Sequence, residues 1–336
     1  MKLIFMGTPD FAVATLDALV KAGHDVALVV TQPDRPKGRS HELQKSDVKI
    51  AAEKYGIDVI TPERIRKDEE AKTKMRALHP DVIVVTAFGQ ILPEDILEIP
   101  KYGCINVHAS LLPKYRGAAP IQWAVLNGEK ESGVTTMMMD KGLDTGDILE
   151  VSRVQLAPKE TGGSLFEKLA VEGGKLIVKT LTDLEAGTLT RTRQDDTQAT
   201  KVGIFHKSSG LINWNDPALK IERMIRGLNP WPSAFTYLAG KQLKLWDADV
   251  LDDHSISHDG YRMVSCVDED KIRMTAEKSL PAPEDYRLKD QHGTIWTNGQ
   301  TLRIMTGAGV LSINELQLEG KKRMTCAEFL RGHRFS

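Results

Sequence analysis

The chain carries three cysteines, Cys104, Cys266 and Cys326. They are odd in number and far apart, so neither a disulfide framework nor a zinc site is indicated. A reducing cytoplasm fits such a set best. No run of about eighteen apolar residues is present, so no membrane span is expected. The opening Lys2-Leu3-Ile4-Phe5-Met6 lacks the basic, then apolar, then small-residue order of a secretory signal. Only Gly7 stands where a dinucleotide fingerprint needs three spaced glycines, which disfavours a nicotinamide or flavin cofactor. No serine sits in a GxSxG elbow, and no HExxH or CxxC spacing accompanies a histidine, so neither a serine hydrolase nor a metal site is expected. Basic and acidic residues balance at 45 against 46, a net charge of −1. Any nucleic-acid partner must then be served by local clusters.

What is present reads as two domains in 336 residues. An apolar strand at residues 2–6 leads through Gly7-Thr8-Pro9-Asp10 into an amphipathic helix, residues 11–21, and a second strand at 26–30. This opening predicts an α/β fold built on a parallel, doubly wound sheet. Residues 31–46 form a long polar loop, broken by prolines and Gly38 and made basic by Arg35, Lys37, Arg39 and Lys45. Loops of this length are functional or disordered. Further buried strands are expected at 81–85, 103–108, 134–139 and 148–154, and a long helix at 165–186. A polar, threonine-rich stretch follows. Beyond it come a helix near 221–228, the helix-breaking Asn229-Pro230-Trp231-Pro232, and short turn-punctuated β runs that suggest a small barrel. The last of these runs fall near residues 235–238, 243–246, 272–274, 293–296, 302–305 and 309–313.

The chain is organised around residues 103–113. Asn106 and His108 are two apart on a strand and share a face. They stand near its C-terminal end, where ligands bind in open α/β sheets. The Asn106 amide offers two donors in a fixed plane, suited to an oxygen that gains negative charge during acyl transfer. An unperturbed histidine titrates near neutrality, so the residue type at His108 can give or take a proton. Asp144, between Gly142 and Gly146 in the loop after another strand, offers a carboxylate that could orient the imidazole and relay a proton. Each has a plainer use: asparagine and aspartate are common turn residues, and an isolated histidine is more often a packing residue. Together they suit direct transfer of an activated acyl group to an amine, without a metal or a side-chain nucleophile.

Six segments carry a resemblance to a known family. They are Gly7-Thr8-Pro9-Asp10-Phe11-Ala12, Thr31-Gln32-Pro33-Asp34-Arg35-Pro36, Ile105-Asn106-Val107-His108-Ala109-Ser110-Leu111-Leu112-Pro113, Arg116-Gly117-Ala118-Ala119-Pro120-Ile121-Gln122, Leu143-Asp144-Thr145-Gly146-Asp147 and Asn229-Pro230-Trp231-Pro232. In that order they resemble the bacterial methionyl-tRNA formyltransferases over essentially the whole chain. The resemblance implies an N-terminal Rossmann-like formyltransferase domain at 1–187, a linker at 188–206, and a C-terminal OB-like β-barrel at 207–336 that contacts tRNA. It implies 10-formyltetrahydrofolate as formyl donor and methionyl initiator tRNA as acceptor, in a cytoplasmic monomer without metal. Asn106, His108 and Asp144 become the catalytic trio. Ser110, Leu111, Leu112 and Pro113 would hold the folate, and Phe88, Gly89, Gln90, Ile91 and Leu92 would line its pterin pocket. Phe11 would pack on the methionyl side chain, while Arg35, Lys37 and Arg39 would face the tRNA acceptor end.

The sequence departs from the family pattern at Ser40-His41-Glu42, where further basic residues are expected, and at Lys201-Val202-Gly203-Ile204-Phe205. In the C-terminal part, basic and acidic residues nearly balance. A tRNA contact there depends on clusters such as Arg223, Arg226, Lys241 and Lys244, or Lys321-Lys322-Arg323. A formyltransferase acting on a small amine, such as an amino-sugar nucleotide, would share the trio and the folate turn. The basic loop and the Asn-Pro-Trp-Pro join argue against it. The intact trio argues against a non-catalytic RNA-binding protein on the same fold.

Overall fold

The computed structural model describes residues 1–37, 42–251, 262–264 and 292–332. Along the chain, β1 (Lys2–Gly7) is followed by α1 (Asp10–Lys21), β2 (Asp25–Val30), β3 (Arg35–Lys37), β4 (Glu42–Gln44), α2 (Asp47–Lys54) and β5 (Val59–Ile60). Then come α3 (Glu69–Ala77), β6 (Val82–Thr86), α4 (Glu94–Leu97), β7 (Cys104–His108), β8 (Arg116–Gly117) and α5 (Pro120–Leu126). β9 (Glu131–Met138), β10 (Ile148–Gln155), α6 (Gly162–Ala186) and β11 (Lys201–Val202) complete this half. Contacts divide the chain into two units. Unit 1 is Met1–Ile121, Lys130–Ala157 and Ser164–Gly203; unit 2 is Gln122–Glu129, Pro158–Gly163 and Ile204–Ser336.

Unit 1 holds a seven-stranded sheet in the order β10-β9-β7-β6-β1-β2-β5. β1, β2, β5, β6 and β7 run parallel, as the opening strand–helix–strand pattern predicts. The expectation of a parallel sheet needs correcting at one edge, because β9 is antiparallel to both β7 and β10. For the β9–β10 pair the cause is connectivity. β9 and β10 are joined directly by the loop 139–147, and a short connection of this kind links antiparallel strands. Strand order reverses between β1, which leads to β2, and β6, which leads to β7. The crevice beyond their carboxyl ends is therefore the switch point at which such sheets take ligands.

Both faces of this sheet are covered. On one, Ile4, Met6, Leu28, Val30, Ile83, Val85 and Cys104 alternate along their strands and bury against Ile65, Met75, Phe88, Leu92 and Ile96. On the other, α6 lies close enough that a Cβ on Gly173 would stand 3.1 Å from Val107 Cγ1, and Gly174 packs on Ala14 and Ala18 of α1. Small residues at these points let two helices and a strand meet without displacing the core. The basic loop, read as lacking regular structure, contains a short antiparallel hairpin of β3 on β4.

In unit 2, α7 (Ala218–Gly227) is followed by β12 (Ala234–Leu238), β13 (Lys241–Leu251), β14 (Arg262–Val264), β15 (Ile295–Thr297), β16 (Leu302–Met305), β17 (Val310–Leu318), β18 (Met324–Thr325) and α8 (Cys326–Gly332). The strands form an antiparallel sheet in the order β12-β13-β17-β16-β15-β14, with β18 on β17. Five of the six short β runs read from the sequence lie in or overlap these strands; the run at 272–274 lies outside the described residues. The barrel expectation is met as an antiparallel sheet whose strand path stays open among the described residues. Ile221 and Ile225 of α7 and Phe329 of α8 pack with Leu245, Leu311, Ile313 and Leu316 to form its core. Leu316 is fully buried there. Leu316→Ala should lower the unfolding free energy by about 2–5 kcal/mol, the usual cost of an emptied core leucine. Denaturant titration measures it, and a loss under about 1 kcal/mol would contradict this packing.

Candidate active site

β7 carries the first two candidate groups. Its alternation puts Asn106 and His108 on the face that Cys104 shares with Phe88, Leu92 and Ile96. Asn106 is half-buried, and His108 is buried with 7% exposure. The ring is fixed from one side: Nε2 lies 3.0 Å from the Tyr115 carbonyl. A carbonyl only accepts, so Nε2 carries a proton. Nδ1 is then turned to Asp144, whose Oδ2 is 3.8 Å away. That is beyond hydrogen-bond length and within reach of a Coulomb contact.

Asp144 reaches this place by an unusual route. β9 runs against β7, with Met138 beside Ile105 and Thr135 beside His108. The exit of β9 is thus at the far end of β7 from His108, and the loop 139–147 folds back along the sheet. Gly146 makes the fold-back possible, since a Cβ there would lie 1.7 Å from the Met138 carbonyl oxygen. Asp144 itself adopts φ 54°. Its Oδ2 accepts a hydrogen bond from the Gly117 N–H at 2.8 Å. Gly117 has φ +102°, and a Cβ on it would stand 2.5 Å from the Val202 carbonyl oxygen, so glycine is required there.

Sequence reasoning missed the residues that hold this pair. Tyr115 and Gly117 flank Arg116, which is buried with 3% exposure. Arg116 donates to Gln194 Oε1 from Nε at 3.0 Å and Nη2 at 2.8 Å, and to Asp196 Oδ1 at 2.8 Å. Gln194 Nε2 donates in turn to the carbonyls of Asp144 at 2.9 Å and Gly146 at 2.7 Å. β8 and β11 pair in parallel, Arg116 with Lys201 and Gly117 with Val202. The stretch expected as a linker is thus bonded to the site. The only signal in the sequence was the adjacency of Arg116-Gly117 within a family motif, which says nothing of partners 78 residues away.

The turn after β7 is tightly tied. Ser110 Oγ donates to the Lys114 carbonyl at 2.7 Å. Thr135 Oγ1 donates to the Ser110 carbonyl at 2.7 Å and accepts from the Leu112 N–H at 3.2 Å. Ser110 and Leu112 are buried and Leu111 is half-buried, so the turn presents fewer free groups than its sequence suggests. The Leu112–Pro113 peptide is cis.

The loop after β6 starts at the switch point. Phe88 is 2% exposed and belongs to the core, while its carbonyl accepts from Thr8 Oγ1 and Gln32 Nε2. Gln90 is committed to residues 62–65 through Ile65 N, Pro62 O and Glu63 O. Leu92 is buried and Ile91 is 80% exposed, leaving Gly89, Ile91 and the loop backbone as its open groups. A cleft of about 410 Å³ adjoins this loop, lined by Gln32, Arg35, Glu63, Arg64, Arg66, Gly89, Gln90 and Ile91. Three guanidiniums against one carboxylate make it positive. Phe11, at the start of α1, is buried with its ring edge-on to Phe166 at 5.3 Å between centroids.

Arg35 is exposed and donates to Gln32 Oε1 at 3.2 Å. Lys37 ends β3, and Arg39 lies outside the described residues. In unit 2, several cations expected on a free surface are engaged. Arg226 is bound to Glu222, Lys244 and Arg323 lie over the Trp246 ring, and Arg323 also pairs with Glu315. Lys241, Lys321 and Lys322 are exposed. Among the described residues, no group of three His, Cys, Asp or Glu is placed to hold a metal ion, and no helix is long and apolar enough to cross a membrane.

Comparison with known proteins gives these groups a context. Residues 1–181 match the family model described as formyl transferase, and residues 205–334 match the formyl transferase C-terminal domain. A methionyl-tRNA formyltransferase of Lachnospira eligens is 54% identical over 334 residues, covering 99% of this chain and 97% of that protein. One from Agathobacter rectalis is 50% identical over 333 residues, covering 99% and 96%. Among solved structures, an N-formyltransferase of Helicobacter canadensis, in complex with folinic acid and dTDP-3-aminofucose, superposes with a TM-score of 0.62. It is 19% identical and covers 96% of this chain and 100% of that one, a likeness of fold.

Cys104 lies two residues from Asn106 on the same face, and its burial decides whether it can act as a nucleophile. Burial pushes its thiol up to about 12, and that of Cys326 up to about 11. At pH 8 the Cys104 thiol therefore stays protonated and unreactive. Iodoacetamide at pH 8 should leave both unmodified in the native protein and alkylate both after denaturation, as read by peptide mass spectrometry. Rapid native labelling of Cys104 would contradict its burial.

Proposed function

This chain belongs to the formyl transferase family, and we propose that it transfers the formyl group of 10-formyltetrahydrofolate to the α-amino group of methionine on initiator tRNA. The observation that supports the catalytic part of this reading is the approach of Asp144 Oδ2 to within 3.8 Å of His108 Nδ1, on the strand face that Asn106 shares. The substrate part rests on relatives named methionyl-tRNA formyltransferase at 42–54% identity over nearly the full chain. The folate rests on family membership and on a neighbour of the same fold solved with folinic acid.

The step follows from the chemistry of the three groups. The methionyl amine attacks the formyl carbon, and a carbon–nitrogen bond forms while the carbonyl electrons move onto oxygen. The planar donors of Asn106 meet that oxygen as it becomes negative, and the His108 imidazole stands beside them on the same face of β7. The amine must then lose a proton, and the departing folate nitrogen must gain one. His108, held by Tyr115 and faced by Asp144, relays it. The carbon–nitrogen bond to the folate breaks and the carbonyl re-forms, so no atom is left unbalanced. The turn 110–113 and the loop 88–92 flank the donor, with Gly89 and Ile91 as the loop's open groups. Phe11 packs near the methionyl chain. Arg35, Lys37 and Arg39 meet acceptor-end phosphates, and the positive cleft between Arg35, Arg64 and Arg66 extends that field. In unit 2, the exposed Lys241, Lys321 and Lys322 are among the described cations available to meet tRNA.

A transfer assay with 10-formyltetrahydrofolate should show turnover with methionyl-tRNA and little with free amino sugars; the reverse preference would overturn the substrate. His108→Ala should cut kcat by roughly two to four orders of magnitude, the range for an acid–base or oxyanion group. Near-normal turnover would sink its catalytic role. Arg35→Glu should raise the KM for methionyl-tRNA and leave that for the folate unchanged. An unaltered salt dependence of tRNA binding would count against a phosphate contact there.

A further inference from the structure

We infer that Gln194 is a positioning residue for the reaction: it clamps the loop bearing Asp144, and Arg116 holds Gln194 in turn. This rests on the catalytic reading of Asn106, His108 and Asp144. Gln194 is 6% exposed, and its side-chain amide is fully used. Both amide hydrogens go to carbonyls of the Asp144 loop, those of Asp144 and Gly146. Its oxygen takes two N–H groups from the Arg116 fork. An amide has two donors and two acceptor positions, and here all four are spent on two targets.

Both targets belong to the site. The two carbonyls bracket Thr145, so fixing them fixes the turn in which Asp144 holds its left-handed φ of 54°. Outside glycine such a conformation is costly and persists only where its surroundings enforce it. Arg116 sits between the two residues that aim His108 and Asp144: the Tyr115 carbonyl holds His108 Nε2, and the Gly117 N–H holds Asp144 Oδ2. Gln194 therefore joins the segment that orients the imidazole to the loop that brings the carboxylate. A side chain 50 residues from Asp144 sets the separation on which proton transfer depends.

Gln194→Glu separates this role from simple packing. It keeps the volume and an acceptor for Arg116, and it removes both donors to the loop. Expected are a fall in kcat of roughly 10- to 100-fold, KM values for folate and methionyl-tRNA within about twofold, and little change in Tm. Asp196→Ala, which removes only the other partner of Arg116, should leave kcat near wild type. In an Asp144→Asn background, Gln194→Glu should cost less than about threefold, because both changes act through one carboxylate. Wild-type kcat in Gln194→Glu, or full multiplication of the two losses, would overturn the proposal. If Asp144→Asn alone turns over at the wild-type rate, the catalytic reading of Asp144 falls, and the positioning role with it. Should Gln194→Glu not fold, Arg116→Lys, which keeps a cation beside Asp196 without the fork, is carried through the same cycle with the same outcomes.

Discussion

A carboxylate has to be carried to His108 from a strand that runs the wrong way. β9 leaves the sheet at the end of β7 opposite to the imidazole, so the Asp144 loop must turn back over the strands and be kept there. Most of the local chemistry follows from that requirement. Gly146 yields its side chain so that the loop can press on Met138, and Gly117 yields its own so that a backbone N–H can reach Asp144 while β8 pairs with β11. The Tyr115 carbonyl then fixes the ring from the other side. Two groups that meet in the crevice are thus set by three consecutive residues, 115–117, which contribute mostly backbone.

Much of this was legible in the sequence, for reasons that can be stated. Short continuous apolar runs, such as those at residues 2–6 and 81–85, gave the buried strands, and the i, i+2 spacing gave the shared face of Asn106 and His108. Asp144 could be picked out because two glycines flank it. The direction of β9 was not legible: hydrophobic alternation carries no sign of strand polarity. The use of Gln194 was equally hidden, since a glutamine in a polar, threonine-rich stretch has the same appearance whether it faces water or closes a buried network. The side chains of Phe88 and Gln90 were read as part of a pocket. The Phe88 side chain is in the core, whereas Gln90 lines the cleft with its amide tied to residues 62–65, because the switch point needs a loop that is itself anchored.

Charge shows a similar division between composition and placement. The near balance of acid and base over the whole chain concealed a local excess around Arg35, Arg64 and Arg66, where Glu63 is the one carboxylate among the residues lining the cleft. Conversely, cations that looked free in unit 2 turn out to be occupied. Arg226 neutralises the buried Glu222, and Arg323 divides itself between Glu315 and the Trp246 ring. A buried pair such as Arg226 with Glu222 is neutral as a unit and leaves little field outside it.

The parallel pairing of Arg116-Gly117 with Lys201-Val202 bears on which changes in length this protein can tolerate. The two family-matched segments end at residue 181 and begin at residue 205, and the stretch between them has the composition of a spacer. Ordinary spacers accept insertions, deletions and exchange of the module that follows. Here Thr192 bridges to Ile148, Gln194 to the Asp144 loop, and Thr200 to Tyr115, all in fixed register. One residue added or lost between 192 and 202 would slip that register and pull on a turn many residues upstream. A graft of a foreign C-terminal domain would have to be joined beyond Gly203, and a fragment trimmed at residue 187 would lose the clamp while keeping every residue of the trio.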